Sequence, residues 1–399
     1  MRGISGGILI VTGIILLAEI LGYYGVTQLI REKRWKRRTA MLYGATSTAV
    51  MALWLVAFWN PETIRRTTSY GFFYATIFIW TLNFFPKALV GFFVLLSLPF
   101  RLLENKAWHR TLLLSGVVLG LGVVLVLATG VVAGKKVLRV EKVGLSLPAL
   151  PEGLNGLKIV QLSDIHLGSF GNDRFLWRIV DVVNGMKPDL VLFTGDMVNN
   201  YHQEIDRFKA PLEALHARYG KFAILGNHDY GDYTDWDSPE DKAGNARLIR
   251  QKIRDCGFRL LLNESAEVRR RDTCLYVVGV ENWGRPPFPQ YARLDSALRE
   301  TPDQSFRILM THDPVHWDDQ VRLKTDIPLT LSGHTHGGQV GLKFAGLEFS
   351  FMCFVQKRWG GLYRENNQFL YVNRGIGCVG LPARIDMAPE ITVFTLWRE

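Results

Sequence analysis

Apolar residues are distributed unevenly along the chain, and this divides it into two halves. Up to about residue 134 long apolar stretches dominate, whereas beyond it charged and turn residues recur regularly. About 20 consecutive apolar residues in a helix span the hydrocarbon core of a bilayer. The first half, 1–134, therefore predicts an all-α transmembrane region. Its four predicted helices occupy about residues 4–30, 40–59, 70–100 and 112–133.

Basic residues between the predicted helices indicate the membrane orientation. The loops after the first and third helices carry nine lysines and arginines, six of them within 31–38, and the opposite side carries seven. Short loops rich in Lys and Arg stay in the cytoplasm. The count predicts a multi-pass protein of the cell membrane with its second half outside the cytoplasm, although the four basic residues after the last helix oppose this.

Two charged residues, Glu19 and Lys87, interrupt the predicted helices. A charge inside a bilayer is costly and often marks function. The alternative is that each lies near a helix break or extends its charged end to the interface. These two residues alone do not predict a transport pathway.

The second half alternates between apolar strands and amphipathic helices. Strands are predicted at 157–162, 189–193 and 222–225, with helices at 174–186 and 205–218 between them. This order is typical of a parallel sheet with crossover helices. Further helices are predicted at 246–256 and 291–300, and further strands at 258–262, 275–280, 306–310, 329–331, 339–342, 369–372 and 391–396.

The pattern as a whole predicts a two-sheet α/β sandwich flanked by helices. This domain occupies residues 157–399, and a linker with one extended piece, 135–156, joins it to the helical half. Its four cysteines have no zinc-site spacing. Buried free thiols are the favoured interpretation, and one disulfide stays open if the domain faces an oxidising compartment.

The net charge of +10 is compatible with nucleic-acid binding. However, six of the basic residues lie in the one loop 31–38, where a topology signal or contact with anionic lipid explains them. Aromatic and basic residues do not interleave in a way that suits bases. The lipid bilayer is therefore a predicted partner, and nucleic acid is not.

Five short clusters of Asp, Asn and His each follow an apolar predicted strand. They read Asp-Ile-His at 164–166, Gly-Asp at 195–196, Gly-Asn-His-Asp at 226–229, Thr-His-Asp at 311–313 and Gly-His-Thr-His at 333–336. Ligands of open α/β sheets bind beyond the carboxyl ends of the strands. In an extended segment residues i and i+2 also point the same way. The clusters therefore predict one site with seven metal-type ligands, enough for two divalent ions that share a carboxylate.

Imidazole and carboxylate together suit manganese, iron or zinc. Two such ions about 3.5–4 Å apart can hold an attacking hydroxide and clamp a phosphoryl oxygen. No cysteine lies in the clusters, and Ser163 and Ser332 belong to no recognisable nucleophile motif. The predicted reaction is hydrolysis of a phosphoester or pyrophosphate bond by a metal-bound hydroxide.

The clusters resemble, in their order along about residues 157–340, those of the calcineurin-like metallophosphoesterases. The resemblance implies a four-layer α/β/β/α metallophosphoesterase sandwich with a dinuclear site. It also implies that His228 stabilises the transition state or protonates the leaving oxygen, and that Asp229 orients His228. The implied ligands are Asp164, His166, Asp196 and His336 for one ion and Asp196, Asn227, His312 and His334 for the other, so Asp196 bridges.

The C-terminal residues are similar to a narrower, membrane-associated or exported bacterial branch of that family. The similarity lies in 371–377, in 381–384 and in Pro389-Glu390. The branch usually has a serine near Asn373, a basic residue where this chain has Ala388, and often Asp in place of Asn199. None of these is an implied ligand, so the departures concern the substrate and leave the metal site intact.

Two arginines near the C-terminus, Arg374 and Arg384, are candidates for holding a phosphate, since Arg binds such oxygens bidentately. The alternative is that they pair with acidic neighbours, so the substrate-binding residues remain unassigned.

The leading hypothesis is a membrane-anchored, dinuclear metal-dependent phosphoesterase, and its location favours a lipid-linked substrate. The alternative is a membrane sensor or scaffold that retains a metal site without turnover. The sequence leaves open the native metals, the oligomeric state and the choice between monoester, diester and pyrophosphate.

Overall fold

Long helices form the first half of the protein. The computed structural model describes residues 2–59, 70–286 and 288–399, with side chains in 12–57, 70–286 and 288–399. Among them, α2, α3 and α4 contain stretches long and apolar enough to cross a membrane. The beginning of the first predicted span, residues 4–11, lies outside the described side chains. The predicted break at Asn60-Pro61 lies outside the described residues. The helices are α1 (Arg2–Gln28), α2 (Lys33–Trp59), α3 (Gly71–Leu102) and α4 (Lys106–Val132).

Small residues let these helices approach one another closely. A Cβ added at Gly25 would lie 2.6 Å from Val90 Cγ1, and one at Gly116 would lie 2.8 Å from Phe93 Cβ. Helices in lipid depend on such close packing, because burying apolar surface brings little gain there. Val90, Val94 and Leu113 form the buried centre of this contact.

The two charges within the apolar helices pair with each other. The Nζ atom of Lys87 lies 3.0 and 2.9 Å from the two carboxylate oxygens of Glu19. Ser47 Oγ and Asn83 Nδ2 donate to the same carboxylate at 2.8 and 3.0 Å. The two charges neutralise each other within the helices, so they need neither a helix end nor the membrane interface.

The second half is an α/β domain built on two mixed sheets and a separate hairpin. The first sheet has the strand order β1-β14-β2-β3-β4-β5, the second β12-β13-β9-β8-β7-β6, and β10 pairs with β11 alone. The strands are β1 (Arg139–Leu147), β2 (Leu157–Leu162), β3 (Leu190–Phe193), β4 (Lys221–Ala223), β5 (Arg259–Leu260), β6 (Glu264–Arg270), β7 (Thr273–Gly279), β8 (Arg307–Met310), β9 (Leu329–Ser332), β10 (Gly341–Phe344), β11 (Leu347–Ser350), β12 (Gly361–Glu365), β13 (Gln368–Val372) and β14 (Glu390–Arg398).

Three hydrophobic cores hold the domain together. Alternate residues of β2 and β3, such as Ile159 and Leu192, meet Val277 and Ile308 of the second sheet in a shared core. The other face of each sheet is covered by helical segments. Strands with both faces buried read as continuous apolar runs, which is the pattern of β3 and β8. The helices are α5 (Arg174–Gly185), α6 (Lys209–Ala214), α7 (Pro239–Asp255) and α8 (Leu294–Leu298).

Several predicted elements differ from the structure. Within the range 135–156, predicted as a linker, β1 pairs in parallel with β14 and forms the edge of the first sheet. The predicted helix 205–218 is a 3-10 segment, His202–Phe208, followed by the short α6. Strand β6 was not predicted, because its sequence, Glu-Ser-Ala-Glu-Val-Arg-Arg, is largely polar, as befits the edge strand that it forms.

All four cysteines are free in the structure. Cys256 and Cys378 are buried, Cys274 is half-buried, and Cys353 is exposed. The expectation of buried thiols therefore fails for Cys353, which lies in a 3-10 turn directly after β11.

Candidate metal centre

The predicted ligands lie just beyond the carboxyl ends of five strands. Asp164 follows β2 and Asp196 follows β3, which run parallel and adjacent, and Asn227 follows the next parallel strand, β4. His312 and His334 follow the adjacent parallel strands β8 and β9 of the other sheet. The carboxyl ends of two packed sheets therefore meet at one place.

One group of ligand atoms gathers around His166 and His336. Their Nε2 atoms lie 3.0 Å apart. Asp164 Oδ1 lies 3.4 Å from Nε2 of His336, and Asp196 Oδ2 lies 3.4 Å from Nε2 of His166. This is the first of the two ligand sets that the family resemblance implies.

A second group gathers around the amide oxygen of Asn227. Its Oδ1 lies 2.8 Å from Nδ1 of His334 and 2.9 Å from Nε2 of His312. Asp196 Oδ2 lies 3.2 Å from the same Nε2 of His312. The Asp196 carboxylate thus touches both groups, as a shared ligand would.

The donor chemistry of the two groups fits a pair of divalent cations. Most of the atoms that face one another in the two groups are hydrogen-bond acceptors: carboxylate oxygens, an amide oxygen and imidazole nitrogens. Asp164, Asp196 and His312 are almost completely buried. Uncompensated buried acceptors are costly. A cation at the centre of each group would satisfy them, and oxygen and imidazole ligands suit manganese, iron or zinc.

Burial sets the protonation of this centre. It lowers the pKa of His166 to about 3, and likewise lowers the pKa values of His334 and His336, so these rings are neutral at pH 7 and offer lone pairs. Burial alone would lower the pKa of His312, but the Asp196 carboxylate outweighs it and raises that pKa to about 10. Conversely, burial raises the pKa of Asp196, but the charges of His312 and His228 outweigh it and hold that pKa well below its usual range.

The ligand backbone adopts conformations that the sequence analysis did not expect. Five of the seven ligands have left-handed φ values, from 45° at His166 to 74° at His334. The expectation that Asp164 and His166 share a direction through extended backbone is therefore wrong, because both have positive φ. Such conformations cost about 1–3 kcal/mol each and persist only where the surroundings impose them.

Glycines permit the close approach of the loops. A Cβ at Gly226 would lie 2.2 Å from Asp196 Oδ1, and one at Gly333 would lie 2.3 Å from Asp164 Oδ2. Gly375, which has a φ of 72°, passes equally close, since its Cβ would lie 2.7 Å from that of Asp164. Any larger residue at these positions would displace a carboxylate ligand.

His228 lies at the open side of the centre and is only half-buried. Its Nδ1 atom lies 2.7 Å from the carbonyl oxygen of Asn199, and its backbone N–H donates to Asp196 Oδ1 at 2.9 Å. The Tyr233 ring stacks on the imidazole at a centroid distance of 4.4 Å. These contacts fix the ring with Nε2 remote from the carbonyl.

The contacts of Asp229 are with backbone groups and not with the His228 ring that the resemblance pairs it with. Its carboxylate accepts hydrogen bonds from the backbone N–H groups of Asp196, Met197, Val198 and Gly226, at 2.9 to 3.2 Å. The group that orients the His228 ring is instead the carbonyl of Asn199. Asp229 therefore ties the loop that carries Asp196 to the loop that carries Asn227. Burial raises its pKa to about 7.

Two contributors to the site were missed by the sequence analysis. Glu204 is buried and accepts from four backbone N–H groups, including Gly168 at 2.9 Å and Asn199 at 2.7 Å, so it shapes the loop that orients His228. Tyr233 Oη accepts from Nδ2 of Asn227 at 2.9 Å, which directs the amide oxygen towards the imidazoles. The only sequence signal for them is their position within ten residues of a cluster.

The two candidate phosphate-binding arginines, Arg374 and Arg384, both have partners within the domain. Arg374 pairs with Glu390 at 2.6 Å and also with Glu348. Arg384 is buried and donates to the carbonyl oxygens of Gly377 and Met387, and its Nη2 lies 3.2 Å from Nδ1 of the predicted ligand His336. The structure favours the alternative of acidic pairing for Arg374, and Arg384 binds backbone.

A cavity of about 310 Å³ opens directly beside the second ligand group. It is bordered by Asn227 and His334, and Arg285 and Phe288 extend from its outer side. Arg285 and Phe288 are exposed, so the cavity offers a cation and an aromatic surface to a substrate that reaches the ligands from outside.

Comparison with known proteins identifies the family. The model of the calcineurin-like phosphoesterase family matches residues 157–338. The chain is 34% identical over 262 residues to the uncharacterized metallophosphoesterase YkuE of Bacillus subtilis, covering 62% of this chain and 81% of that protein. The chain therefore belongs to the calcineurin-like metallophosphoesterases, and its bacterial relatives fit the bacterial branch that its C-terminal residues indicate.

Two further relatives carry more descriptive names. The transmembrane protein with metallophosphoesterase domain of Danio rerio is 33% identical over 288 residues, covering 70% of this chain and 62% of that protein. The UDP-2,3-diacylglucosamine pyrophosphatase LpxG of Chlamydia trachomatis is 29% identical over 290 residues, covering 60% of this chain and 84% of that protein.

Proposed function

We propose that this protein is a membrane-anchored phosphoesterase that cleaves a phosphoester or pyrophosphate bond of a lipid-linked substrate at a dinuclear metal centre. The convergence of seven side chains from five strand ends into two groups that share Asp196 carries the proposal. By this account the three packed cores form the four-layer α/β/β/α sandwich and all four long helices cross the membrane.

The proposed ligand sets are Asp164, His166, Asp196 and His336, and Asp196, Asn227, His312 and His334. Two divalent cations held there would activate water and neutralise phosphoryl oxygens. The Tyr233 contact orients Asn227, and the Asp229 contacts hold the Asp196 loop, so the ligands are positioned before substrate arrives.

His228 is proposed as the general acid. The Asn199 carbonyl accepts a hydrogen bond from Nδ1–H, so in the protonated ring the second proton lies on Nε2. Nε2 can then donate to the leaving oxygen at the half-exposed side of the centre.

The membrane location supports a lipid-linked substrate. The chain contains three candidate membrane spans, and a relative is named as a pyrophosphatase of a diacylated sugar nucleotide. The excess of basic residues in the first and third loops supports an extracytoplasmic catalytic domain. Labelling of Asp272→Cys, at the exposed β6–β7 turn, by a membrane-impermeant maleimide in intact cells tests this orientation in a Cys274→Ser/Cys353→Ser background. Protection until the cells are lysed contradicts it.

The decisive experiment measures hydrolysis of bis(p-nitrophenyl) phosphate by the purified full-length protein with manganese. We expect turnover by the wild type and a loss of about 10³-fold in Asp196→Asn, because both cations lose their shared ligand. The matched control is Asp181→Asn, the same change at an exposed position of α5, which retains activity.

Two outcomes contradict the proposal. Equal activity of Asp196→Asn and wild type would remove Asp196 from the reaction. Binding of two manganese ions without turnover on a broad panel of phosphomonoesters, diesters and pyrophosphates would instead support the sensor or scaffold.

A further inference from the structure

The hairpin formed by β10 and β11 turns its apolar face outwards and its polar face towards the domain. In β10 and β11, Leu342 pairs with Phe349 and Phe344 pairs with Leu347, so one face of the ribbon is entirely apolar. On the other face Lys343 lies opposite Glu348 and forms an ion pair with it. Glu348 also pairs with the buried Arg374, so the polar face is turned towards the domain.

The apolar face meets no protein core. Leu342, Phe344 and Leu347 are 64%, 82% and 77% exposed. The 3-10 turn after β11 adds Phe351 and Phe354, which are 72% and 76% exposed and whose rings lie 6.4 Å apart. An aromatic side chain has roughly 150–250 Å² of surface. Three exposed phenylalanines and two exposed leucines together therefore exceed the largest apolar patch of an ordinary soluble protein, which is about 300–600 Å².

We infer that this apolar hairpin, residues 341–354, inserts into the surface of a lipid bilayer. The exposed Lys357, three residues after the hairpin, places a positive charge beside this surface, whereas Lys343 and Arg358 pair with Glu348 and Asp318. Basic residues flanking an apolar surface favour anionic lipid. The domain is also tethered to a candidate membrane span, since only residues 133–138 separate α4 from β1.

The position of the hairpin gives this insertion a consequence for catalysis, which rests on the proposed function. β10 begins five residues after the ligand His336. Val355, which is 76% exposed and directly follows the hairpin, borders the same cavity as His334 and Asn227. A hairpin seated in lipid therefore places the mouth of the cavity at the level of the phosphate groups.

The insertion is tested with a nitroxide on Cys353, an exposed thiol within the hairpin. Cys274, the half-buried thiol, is replaced by Ser, and the full-length protein is placed in nanodiscs of phosphatidylcholine and phosphatidylglycerol. We expect the label to collide more with oxygen, which dissolves in lipid, than with a water-soluble nickel chelate. The reference label is Asp272→Cys, at the exposed β6–β7 turn, in a Cys274→Ser/Cys353→Ser background; there the nickel chelate should prevail.

The same label decides between lipid and other occupants. Preferential collision with the nickel chelate at Cys353 overturns the inference. Dipolar broadening between labels at low protein density also overturns it, because it shows that a second copy covers the surface. Phe344→Ser/Leu347→Ser should lower the oxygen preference, whereas Leu323→Ser, at a position 60% exposed outside the hairpin, should leave it unchanged.

Activity assays distinguish failure of the proposed membrane insertion from failure of the proposed phosphoesterase function. Phe344→Ser/Leu347→Ser should retain hydrolysis of the soluble aryl diester and lose about tenfold in activity on a phospholipid ester in vesicles. An equal effect on both substrates contradicts the role in lipid access. Absence of wild-type turnover on both would refute the proposed function, whereas the collision measurement would still decide whether the hairpin inserts.

Discussion

Two buried polar clusters in this protein are built on opposite principles. In the helical half, the ammonium of Lys87 meets the carboxylate of Glu19, with side chains only 14% and 19% exposed, and Ser47 and Asn83 complete the hydrogen bonding. At the strand ends, two carboxylates, an amide and four imidazoles converge, and acceptor atoms outnumber the N–H groups that face them. The first cluster contains its own cation, whereas the second is proposed to take up two cations from solution.

The difference explains why buried charge alone does not identify a functional site. A pair of opposite charges with satisfied hydrogen bonds is complete, so its removal affects the stability of the helices. In the strand-end cluster acceptors outnumber donors, so a bound cation would complete it, and under the proposed function its alteration affects metal binding and reaction. Whether an intramembrane charge marks a functional site therefore depends on the groups that pair with it.

The largest expected effect concerns His228, which could be either an acid or a ligand because its ring is within reach of His166 and Asp196. We expect His228→Ala to lower kcat about 10³-fold, the usual scale for loss of a general acid. Metal content, measured by elemental analysis, should stay at the wild-type value. A lower metal content would make His228 a ligand, and His216→Ala, at an exposed position, serves as the control.

A smaller effect is expected in the helical half. Lys87→Met leaves the Glu19 carboxylate without its cation, which costs about 3 kcal/mol of unfolding free energy. Unfolding by sodium dodecyl sulfate in mixed micelles measures it, with Lys106→Met at an exposed position as the control. The double variant Glu19→Gln/Lys87→Met should recover most of the loss. Failure to recover, or a loss of aryl diester hydrolysis, would show that the pair does more than complete a buried contact.

Metal addition should distinguish the two clusters directly. A ligand at one hundred times its Kd stabilises a folded protein by about 2.7 kcal/mol. Manganese should therefore raise the Tm of the wild type and of Lys87→Met equally, and chelation should reverse the rise. Asp196→Asn should respond less, because both ions lose a ligand. An equal response of all three proteins would contradict the shared role of Asp196.

The smallest effect concerns His316, a buried histidine outside both clusters whose Nδ1 lies 3.1 Å from Thr311 Oγ1. Burial lowers its pKa from 6.5 to about 4. Below pH 6.5 the unfolded chain binds a proton that the folded protein rejects, so stability falls as the pH falls towards 4. The loss at pH 5.5 is on the order of 1 kcal/mol.

Denaturation of His316→Asn at pH 7.5 and 5.5 measures this contribution. The variant should lose less stability between the two pH values than the wild type does. An unchanged pH dependence would mean that the His316 ring is protonated in the folded protein. His216→Ala, in which an exposed histidine is removed, should behave as the wild type.

Much of the fold was predictable because its signals are local. The strand β2 occupies the predicted residues 157–162, since an apolar run bounded by Gly156 and a polar cluster has few alternatives. The polar strand β6 was missed, and the extended piece predicted within the linker 135–156 was not assigned to the sheet in which it forms the edge strand β1. Their pairing depends on partners far away in the chain, β14 in the case of β1, and their own composition does not reveal it.

The proposed ligands were recognisable because Asp, Asn and His are uncommon directly after buried strands. Their supporting residues were not, because Glu204 and Tyr233 act through backbone N–H groups and an amide whose positions follow only from the folded loops. The same holds for Asp229, whose assigned neighbour His228 is oriented by the distant carbonyl of Asn199.

The sequence by itself determined the division into an apolar helical half and an α/β half, the order of strands and the identity of the metal-type side chains. Only the tertiary structure decided that Asp196 lies between two ligand groups, that Glu19 meets Lys87, and that the hairpin turns its apolar face outwards. Periodicity and composition are properties of neighbours along the chain. Pairing of charges, sharing of a carboxylate and exposure of a face depend instead on which distant segments pack together.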